Sequence, residues 1–225
     1  MFIQKCVSVA SRSAALFAAL GLAWAVNCHA TPDADAQQAL KVYQQAVASP
    51  IRSDDDRSAD ANRKPLEFLQ FTQVRPGMQV LDVAAGAGYT TQLLALVVGS
   101  KGTVWAQGPR EAQGLQARLA KHPQANIVPL VKPFEDPIPA NAPKLDLITL
   151  IMNYHDITYM PVDREKMNRR LFDALKPGGH LVILDHSAKP AAVSRWQKRC
   201  TGSKRRWCWT RNGKLDSSWN KKAIS

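Results

Sequence analysis

Cysteine is nearly absent from this 225-residue chain, which contains only Cys6, Cys28, Cys200 and Cys208. No cysteine lies between the second and the third of these, so the body of the protein can form no disulfide and no thiolate metal site. Metal-ligand spacings of histidine and carboxylate residues and a Gly-x-Ser-x-Gly nucleophile motif are also missing. The sequence therefore predicts neither a metal centre nor covalent serine chemistry.

Negative charge is scarce at the C-terminus, where the positive charge of the chain is concentrated. The formal net charge is +12, but residues 191–225 hold ten Lys/Arg and one acid, Asp216. Residues 1–30 contribute two more positive charges, from Lys5 and Arg12, so residues 31–190 are almost neutral. A nearly neutral body argues against a nucleic-acid-binding face. The oligomeric state does not follow from the sequence.

The N-terminus lacks a hydrophobic run long enough to span a membrane. Residues 14–26 are apolar but fall short of the roughly 20 residues of a spanning helix. A positively charged start precedes this run, and Cys28 and Ala30 place small residues before a cleavage point. We expect a signal peptide at residues 1–30, cleaved after Ala30, and a periplasmic protein without membrane attachment after cleavage. An uncleaved anchor is the alternative.

Strand-like and helix-like segments alternate through residues 65–190. Helical patterns are predicted from residue 65 and at 90–98, 111–121 and 164–175, between apolar strands at 79–83, 103–106, 126–130, 145–152 and 180–185. This alternation predicts an α/β Rossmann-like domain, with a parallel sheet and helices on both faces. Residues 31–64 precede it as a short helix at 39–48 and a polar loop at 49–64. That loop is either solvated or a lid whose Arg52 and Arg63 face anionic groups.

A glycine-rich turn follows the first predicted strand, in the sequence VLDVAAGAGYTT at residues 80–91. Glycines allow a tight turn and close approach of a ligand to the backbone at the carboxyl end of a parallel strand. Together with LKPGGHLV at 175–182, NYHD at 153–156 and DHSA at 185–188, this turn resembles the class I S-adenosylmethionine-dependent methyltransferase superfamily. The similarity covers roughly residues 39–190 and is greatest to a family of predicted bacterial methyltransferases, many of which have signal peptides.

The resemblance implies S-adenosylmethionine as cofactor and assigns the residues that hold it. Asp82, Gly86 and Gly88 match the loop around the methionine and ribose portions. Ala84 replaces the first glycine of that loop, which is tolerated if its backbone angles are ordinary. Gln107 occupies the place of the acid that usually binds the ribose hydroxyls, and it lacks the charge.

Two further segments match cofactor-contacting regions of the family. Glu135 and Asp136 occupy the region that often contacts the adenine amino group, although they could equally begin a surface turn. Asn153 follows the fourth strand, where the cofactor and the methyl acceptor meet.

Catalytic candidates lie beside Asn153. His155 can act as the general base for an acceptor proton, oriented by Asp156 or by Asp185, while Tyr154 forms a wall of the pocket. A purely structural histidine is the alternative, and Asp185 with His186 forms a second candidate pair. The implied reaction is methyl transfer to a small molecule, which requires positioning more than covalent help.

Residues 191–225 lack the aliphatic periodicity of the rest of the chain. They contain four of the six tryptophans and few aliphatic residues, which conflicts with the preceding pattern. We expect an aberrant basic tail produced by a frameshift near Ala191, because compatible codons read in a neighbouring frame give a helical sequence. The C-terminal strand pair of the fold would then be missing. A nucleic-acid-binding or membrane-binding tail is the alternative.

Two other functions compete with methyl transfer. Ala84, Gln107 and the tail favour a non-catalytic binding protein that has lost turnover. A dinucleotide oxidoreductase is disfavoured, because no acid follows the second strand and LKPGG is not typical of that class.

Overall fold

The computed structural model describes residues 32–186 and the backbone of two short strands at Arg206–Thr210 and Lys222–Ile224. The predicted signal peptide lies outside the described residues, as does most of the tail from residue 191. Within the described part of the chain, no helix is long and apolar enough to cross a membrane.

Five parallel strands form the body of the sheet, in the order β3-β2-β1-β4-β5. They are β1 Gln79–Val83, β2 Thr103–Gly108, β3 Ile127–Val131, β4 Leu145–Ile151 and β5 Leu175–Leu184. The helices are α1 Pro32–Ala48, α2 Asp54–Arg63, α3 Pro65–Thr72, α4 Tyr89–Val98, α5 Gln113–Lys121, α6 Tyr154–Ile157 and α7 Arg164–Ala174. The predicted Rossmann-like sheet is confirmed, and its strand order reverses between β1 and β4, where ligands bind in such sheets.

Alternate residues of the central strands pack on opposite faces of the sheet. Val80, Leu147 and Val182 pack in one apolar cluster with residues of α1, α3 and α4. Their neighbours Leu81, Ile148 and Leu181 pack in a second cluster with residues of α7. Burial on both faces explains why these strands are apolar almost throughout, and it fixes their carboxyl ends as a rigid platform.

The expectation that the C-terminal strand pair is missing is wrong. β6 (Arg206–Thr210) pairs antiparallel with the outer edge of β5, and β7 (Lys222–Ile224) pairs antiparallel with β6. An open edge strand accepts such pairing because its backbone groups are free. Aromatic residues and threonine favour strands, and the sequence WCWT at 207–210 provides them. Counting only aliphatic residues missed this signal.

The polar segment at 49–64 is not a loop, because it contains helix α2. Ser53 caps this helix: the Asp56 amide donates to Ser53 Oγ at 3.1 Å, and the Ser53 amide donates to Asp56 Oδ2 at 3.2 Å. The first turn contains three acids, Asp54, Asp55 and Asp56, whose negative charges stabilise the helix because they lie at the positive end of its dipole. The helix was missed because polar caps and ion pairs, rather than apolar periodicity, hold it.

Candidate functional site

The glycine-rich turn connects the carboxyl end of β1 to the start of α4. Gly86 and Gly88 have φ of 56° and 84°, in the left-handed region that favours glycine. A Cβ on Gly88 would lie 2.7 Å from Leu115 Cδ1 of α5, so a side chain there would collide. Gly86 and Ala87 are exposed at the tip, which leaves their backbone accessible to a ligand.

Ala84 has a backbone conformation that alanine seldom adopts. Its φ is 57°, so the condition under which alanine would be tolerated here without strain, ordinary backbone angles, is not met. A left-handed residue with a Cβ costs about 1–2 kcal/mol. This strain explains why the family has a glycine at this position. Ala84 keeps the strained conformation because neighbouring residues bind the loop through hydrogen bonds.

Gln107 of β2 holds the loop. It is fully buried; its Oε1 accepts from the Ala84 amide at 3.1 Å, and its Nε2 donates to the Lys132 carbonyl at 2.6 Å. The Gln107 backbone carbonyl also accepts from the Ala85 amide at 2.9 Å. Both ends of the side chain are therefore used internally, and Gln107 supports the loop instead of replacing the ribose-binding acid. The last residue of β2 is Gly108, which offers no side chain.

Asp82 lies behind the loop and faces the interior. Its carboxylate is 1% exposed and accepts hydrogen bonds from Thr91 Oγ1 at 2.6 Å and Thr149 Oγ1 at 2.8 Å. Burial raises the pKa of Asp82 to about 6, and the two hydroxyl donors oppose that rise. Asp82 therefore ties β1 to α4 and β4, and contributes to the site by fixing the position of the loop.

Asn153 brings the end of β4 next to the same loop. Its Nδ2 donates to the Ile151 carbonyl at 3.0 Å and reaches the Ala84 carbonyl at 3.5 Å. Met152, just before it, has φ of 60°, a strained conformation for a residue with a side chain. This conformation turns the chain sharply from β4 into the short helix α6. Nothing in the sequence predicted it.

His155 of α6 is oriented by Asp185, which follows β5. Nδ1 of the ring lies 2.6 Å from Asp185 Oδ1, and the His155 amide donates to Asp185 Oδ2 at 2.8 Å. The His186 amide also donates to Oδ1, at 2.7 Å. Three donors thus fix the carboxylate, and Nε2 of His155 lies 3.2 Å from the exposed carboxylate of Asp156. Of the two predicted orienting acids, Asp185 holds the ring, and Asp156 contacts its other nitrogen.

The remaining predicted residues are spread around this centre. Tyr154 is partly buried against the second apolar cluster, so its role as a pocket wall stays a prediction. Asp136 forms ion pairs with Arg170 of α7 at 2.7 Å and with Lys132 at 3.3 Å, and Arg170 above all lowers its pKa. These pairs favour the surface-turn interpretation for Asp136, while an adenine contact by half-buried Glu135 stays a prediction.

Sequence reasoning missed a set of ion pairs that dock α2 against the loop. Arg118 of α5 binds Asp56 at 2.6 and 2.8 Å, and its Nε donates to the Ala87 carbonyl at 2.9 Å. One turn along α2, Asp60 accepts from Tyr89 Oη at 2.7 Å and from Arg52 at 2.8 Å. Two aspartates four residues apart were the available signal, since that spacing places them on one helix face.

The Arg52 and Arg63 guanidinium groups lie over the ring of Tyr89, at 5.5 and 4.7 Å from its centre. Arg52 faces an anionic group of the protein itself, Asp60, whose charge raises the pKa of Arg52 although burial opposes this. The polar segment therefore lies against the start of α4, next to the cofactor loop, and its role as a lid over the cofactor stays a prediction.

These residues fit S-adenosylmethionine at the carboxyl end of β1. The loop tip is exposed, and its two glycines allow close approach of a ligand. Gly88 immediately precedes α4 and provides no side-chain cap, which leaves the amides of the first turn available to a ligand. The fit departs from the family pattern at the end of β2, where no carboxylate faces the site.

Comparisons with known proteins agree with this geometry. A family model described as a methyltransferase domain matches residues 75–223, which is more than half of the chain. Ubiquinone/menaquinone biosynthesis C-methyltransferases of Ectopseudomonas mendocina and Bordetella parapertussis are each 28% identical to it, over 68% and 72% of this chain. The chain spans only 59% and 62% of the length of these two relatives.

Solved structures support the fold. A SAM-dependent methyltransferase from Aquifex aeolicus is 24% identical with a TM-score of 0.51, and the match covers 60% of this chain and 71% of that one. A protein-L-isoaspartate O-methyltransferase is 17% identical with a TM-score of 0.50, over 71% of this chain and 43% of that one. With the strand order, the glycine loop and the family match together, the chain belongs to the class I S-adenosylmethionine-dependent methyltransferases.

Proposed function

We propose that this protein transfers a methyl group from S-adenosylmethionine to a small-molecule acceptor that loses a proton in the reaction. The observation that carries the proposal is the contact between His155 Nδ1 and Asp185 Oδ1 at 2.6 Å, beside the cofactor loop. The names of the curated relatives, which are C-methyltransferases of quinone biosynthesis, support a small molecule as acceptor.

The protein's own residues supply the base. When Nδ1–H donates to Asp185, the lone pair of the ring lies on Nε2, and this nitrogen takes the proton of the acceptor once the exposed Asp156 carboxylate, 3.2 Å from Nε2, makes room for it. After Nε2 has taken that proton the ring is positively charged, and the carboxylates of Asp185 and Asp156 stabilise it from both sides. The exposed Asp156 can then pass the proton to water.

The remaining task of the protein is alignment. S-adenosylmethionine, when bound, supplies a methyl group whose bond to sulfur breaks as the bond to the acceptor atom forms, with the electron pair remaining on sulfur. The glycine loop, held by Gln107 and Asn153, fixes one reactant, and the ends of β4 and β5 position the other.

Calorimetry and a turnover assay with the full chain test the proposal. We expect S-adenosylmethionine and S-adenosylhomocysteine to bind, NAD not to bind, and labelled methyl to appear in at least one member of a panel of phenols, enols and amines. If neither S-adenosylmethionine nor S-adenosylhomocysteine binds, the proposal is refuted.

A non-catalytic binding protein is the second candidate, and two observations favour it. Ala84 is strained at φ 57°, and β2 ends in Gly108 without a carboxylate for the ribose. Binding of S-adenosylhomocysteine together with no turnover across the whole panel would select this candidate.

The proposed place of action is the periplasm, on the basis of the signal-peptide pattern at residues 1–30. Fractionation of cells that express the full chain, followed by N-terminal sequencing, tests this. A product that starts at Thr31 in the periplasmic fraction is the expected result, and an unprocessed cytoplasmic chain would contradict it.

A further inference from the structure

Four structural elements meet at the guanidinium group of Arg118. Nε donates to the Ala87 carbonyl of the cofactor loop at 2.9 Å, and Nη1 donates to Gln92 Oε1 of α4 at 2.6 Å. Nη1 and Nη2 together bind both oxygens of Asp56 in α2, while Arg118 itself belongs to α5. The planar fork of arginine suits this bidentate geometry, and lysine cannot reproduce it.

The Asp56–Arg118 pair is shielded from water. Its side chains are 6% and 13% exposed, so water does not readily replace either charged partner. Burial opposes ionisation of Asp56, but the hydrogen bonds and charge of Arg118 outweigh it and lower its pKa. Removal of one partner from a buried pair leaves the other uncompensated, which makes such a contact sensitive to mutation.

Helix α2 is attached to the domain by polar contacts more than by apolar packing. Asp56 is its only buried residue, and its sequence DDDRSADANR contains no large apolar side chain. Its two inward carboxylates both reach groups next to the glycine loop: Asp56 reaches Arg118, and Asp60 reaches Tyr89 at the start of α4. Anything that moves the loop therefore acts on the anchors of α2.

We propose that Arg118 and Asp56 are positioning residues for the cofactor loop, and that docking of α2 is coupled to cofactor binding through them. The inference rests on the proposed function, since it concerns the same cofactor. Asp56 holds Arg118, and Arg118 holds the Ala87 carbonyl and thereby the orientation of the peptide that joins exposed Ala87 to buried Gly88. Preorganisation of this peptide favours binding, and binding in turn favours the docked helix, because coupling between two events is reciprocal.

A double-mutant cycle in the affinity for S-adenosylhomocysteine tests the coupling in the full chain. Arg118→Gln and Asp56→Asn should each weaken binding by about tenfold, within the usual range of coupling between sites. The double variant should be no weaker than Arg118→Gln alone, since both changes break the same contact. Arg57→Gln is the matched control: Arg57 lies on the same helix and is exposed, and among the residues that the structure describes its side chain donates a hydrogen bond to the Ser49 carbonyl, away from the loop.

Hydrogen exchange provides a second readout, in which each variant is compared with and without ligand, so that its own stability in the ligand-free state is the reference. S-adenosylhomocysteine should slow exchange of the α2 amides, at residues 54–63, in the wild type and in Arg57→Gln. In Asp56→Asn, the milder of the two changes, this protection of α2 should be lost.

The outcomes separate this inference from the function on which it rests. Wild-type chain that fails to bind S-adenosylhomocysteine would refute the proposed function and this inference with it. If the wild type binds S-adenosylhomocysteine but the folded variants bind it with unchanged affinity, the coupling is overturned and the proposed function stands. The same conclusion follows if the ligand does not affect hydrogen exchange of the α2 amides.

Discussion

His155 and Asp185 meet across the carboxyl ends of two neighbouring strands, with Nδ1 of the ring 2.6 Å from Oδ1 of the carboxylate. The same carboxylate binds the backbone amide of His155, so ring and main chain are held together. A histidine fixed in this way presents one defined tautomer to a substrate.

His155→Gln should lower the methyl transfer rate by about 10²-fold, which is at the low end of the contribution of a general base. Asp185→Asn should lower the rate as well, because the amide no longer fixes the tautomer. Single-turnover assays at saturating S-adenosylmethionine measure both effects on an acceptor identified in the panel.

Affinity for S-adenosylhomocysteine should be unchanged in His155→Gln, since the ring makes no contact with the glycine loop among the described contacts. A variant that retains the wild-type rate would remove His155 from the mechanism and leave the structural interpretation.

The sheet was predictable because its strands are apolar on both faces and are separated by glycine-bearing turns. The same reasoning placed His155 and Asp185 at one edge, since the carboxyl ends of parallel strands lie together. It could not predict the direction of the Gln107 side chain. Successive residues of a strand point to opposite faces, so a shift of one residue decides whether a side chain at a strand end faces the ligand or the interior. It also missed Arg118, whose partner Asp56 lies 62 positions away in a helix without apolar periodicity.

Ala84→Gly should raise the free energy of unfolding by up to about 1 kcal/mol. Glycine removes the left-handed strain at φ 57°, and the greater freedom of the unfolded chain offsets part of the gain. Denaturant unfolding measures the change. Ala85→Gly is the matched control: its φ is not positive, so only the entropic loss remains and the variant should be less stable. Equal effects at the two positions would show that Ala84 carries no strain.

Gly88→Ala and Gly178→Ala separate backbone strain from collision. The two glycines have nearly the same φ, 84° and 80°, but a Cβ would lie 2.7 Å from Leu115 Cδ1 at Gly88 and would meet nothing within 4 Å at Gly178. Both variants should lose about 1 kcal/mol from backbone strain, and Gly88→Ala should lose a further 1–3 kcal/mol from overpacking.

Thermal unfolding of the two glycine variants, with S-adenosylhomocysteine affinity measured in parallel, checks this difference. Only Gly88→Ala should also weaken binding, because its collision displaces the cofactor loop against α5. Equal destabilisation of both variants would mean that α5 moves aside freely.

Asp82 should make the protein less stable as the pH rises from about 4 to 6. Its pKa is raised from 3.8 to about 6 in the folded state, mainly by burial, so in this range the unfolded chain ionises while the folded chain retains the proton. The folded state binds more protons there, and stability falls with pH by about 3 kcal/mol before levelling above the folded pKa.

Asp82→Asn removes this dependence, because asparagine does not titrate and can still pair with the hydroxyls of Thr91 and Thr149. The stability of Asp82→Asn relative to the wild type should therefore increase between pH 4 and pH 7, as measured by urea unfolding at several pH values. Contributions of the surface carboxylates cancel in this difference. Thr149→Val, which deletes one donor to the ionised form, should raise the pKa of Asp82 further and extend the decline above pH 6. A difference between Asp82→Asn and the wild type that stays constant across this range would mean that folding does not raise the pKa of Asp82.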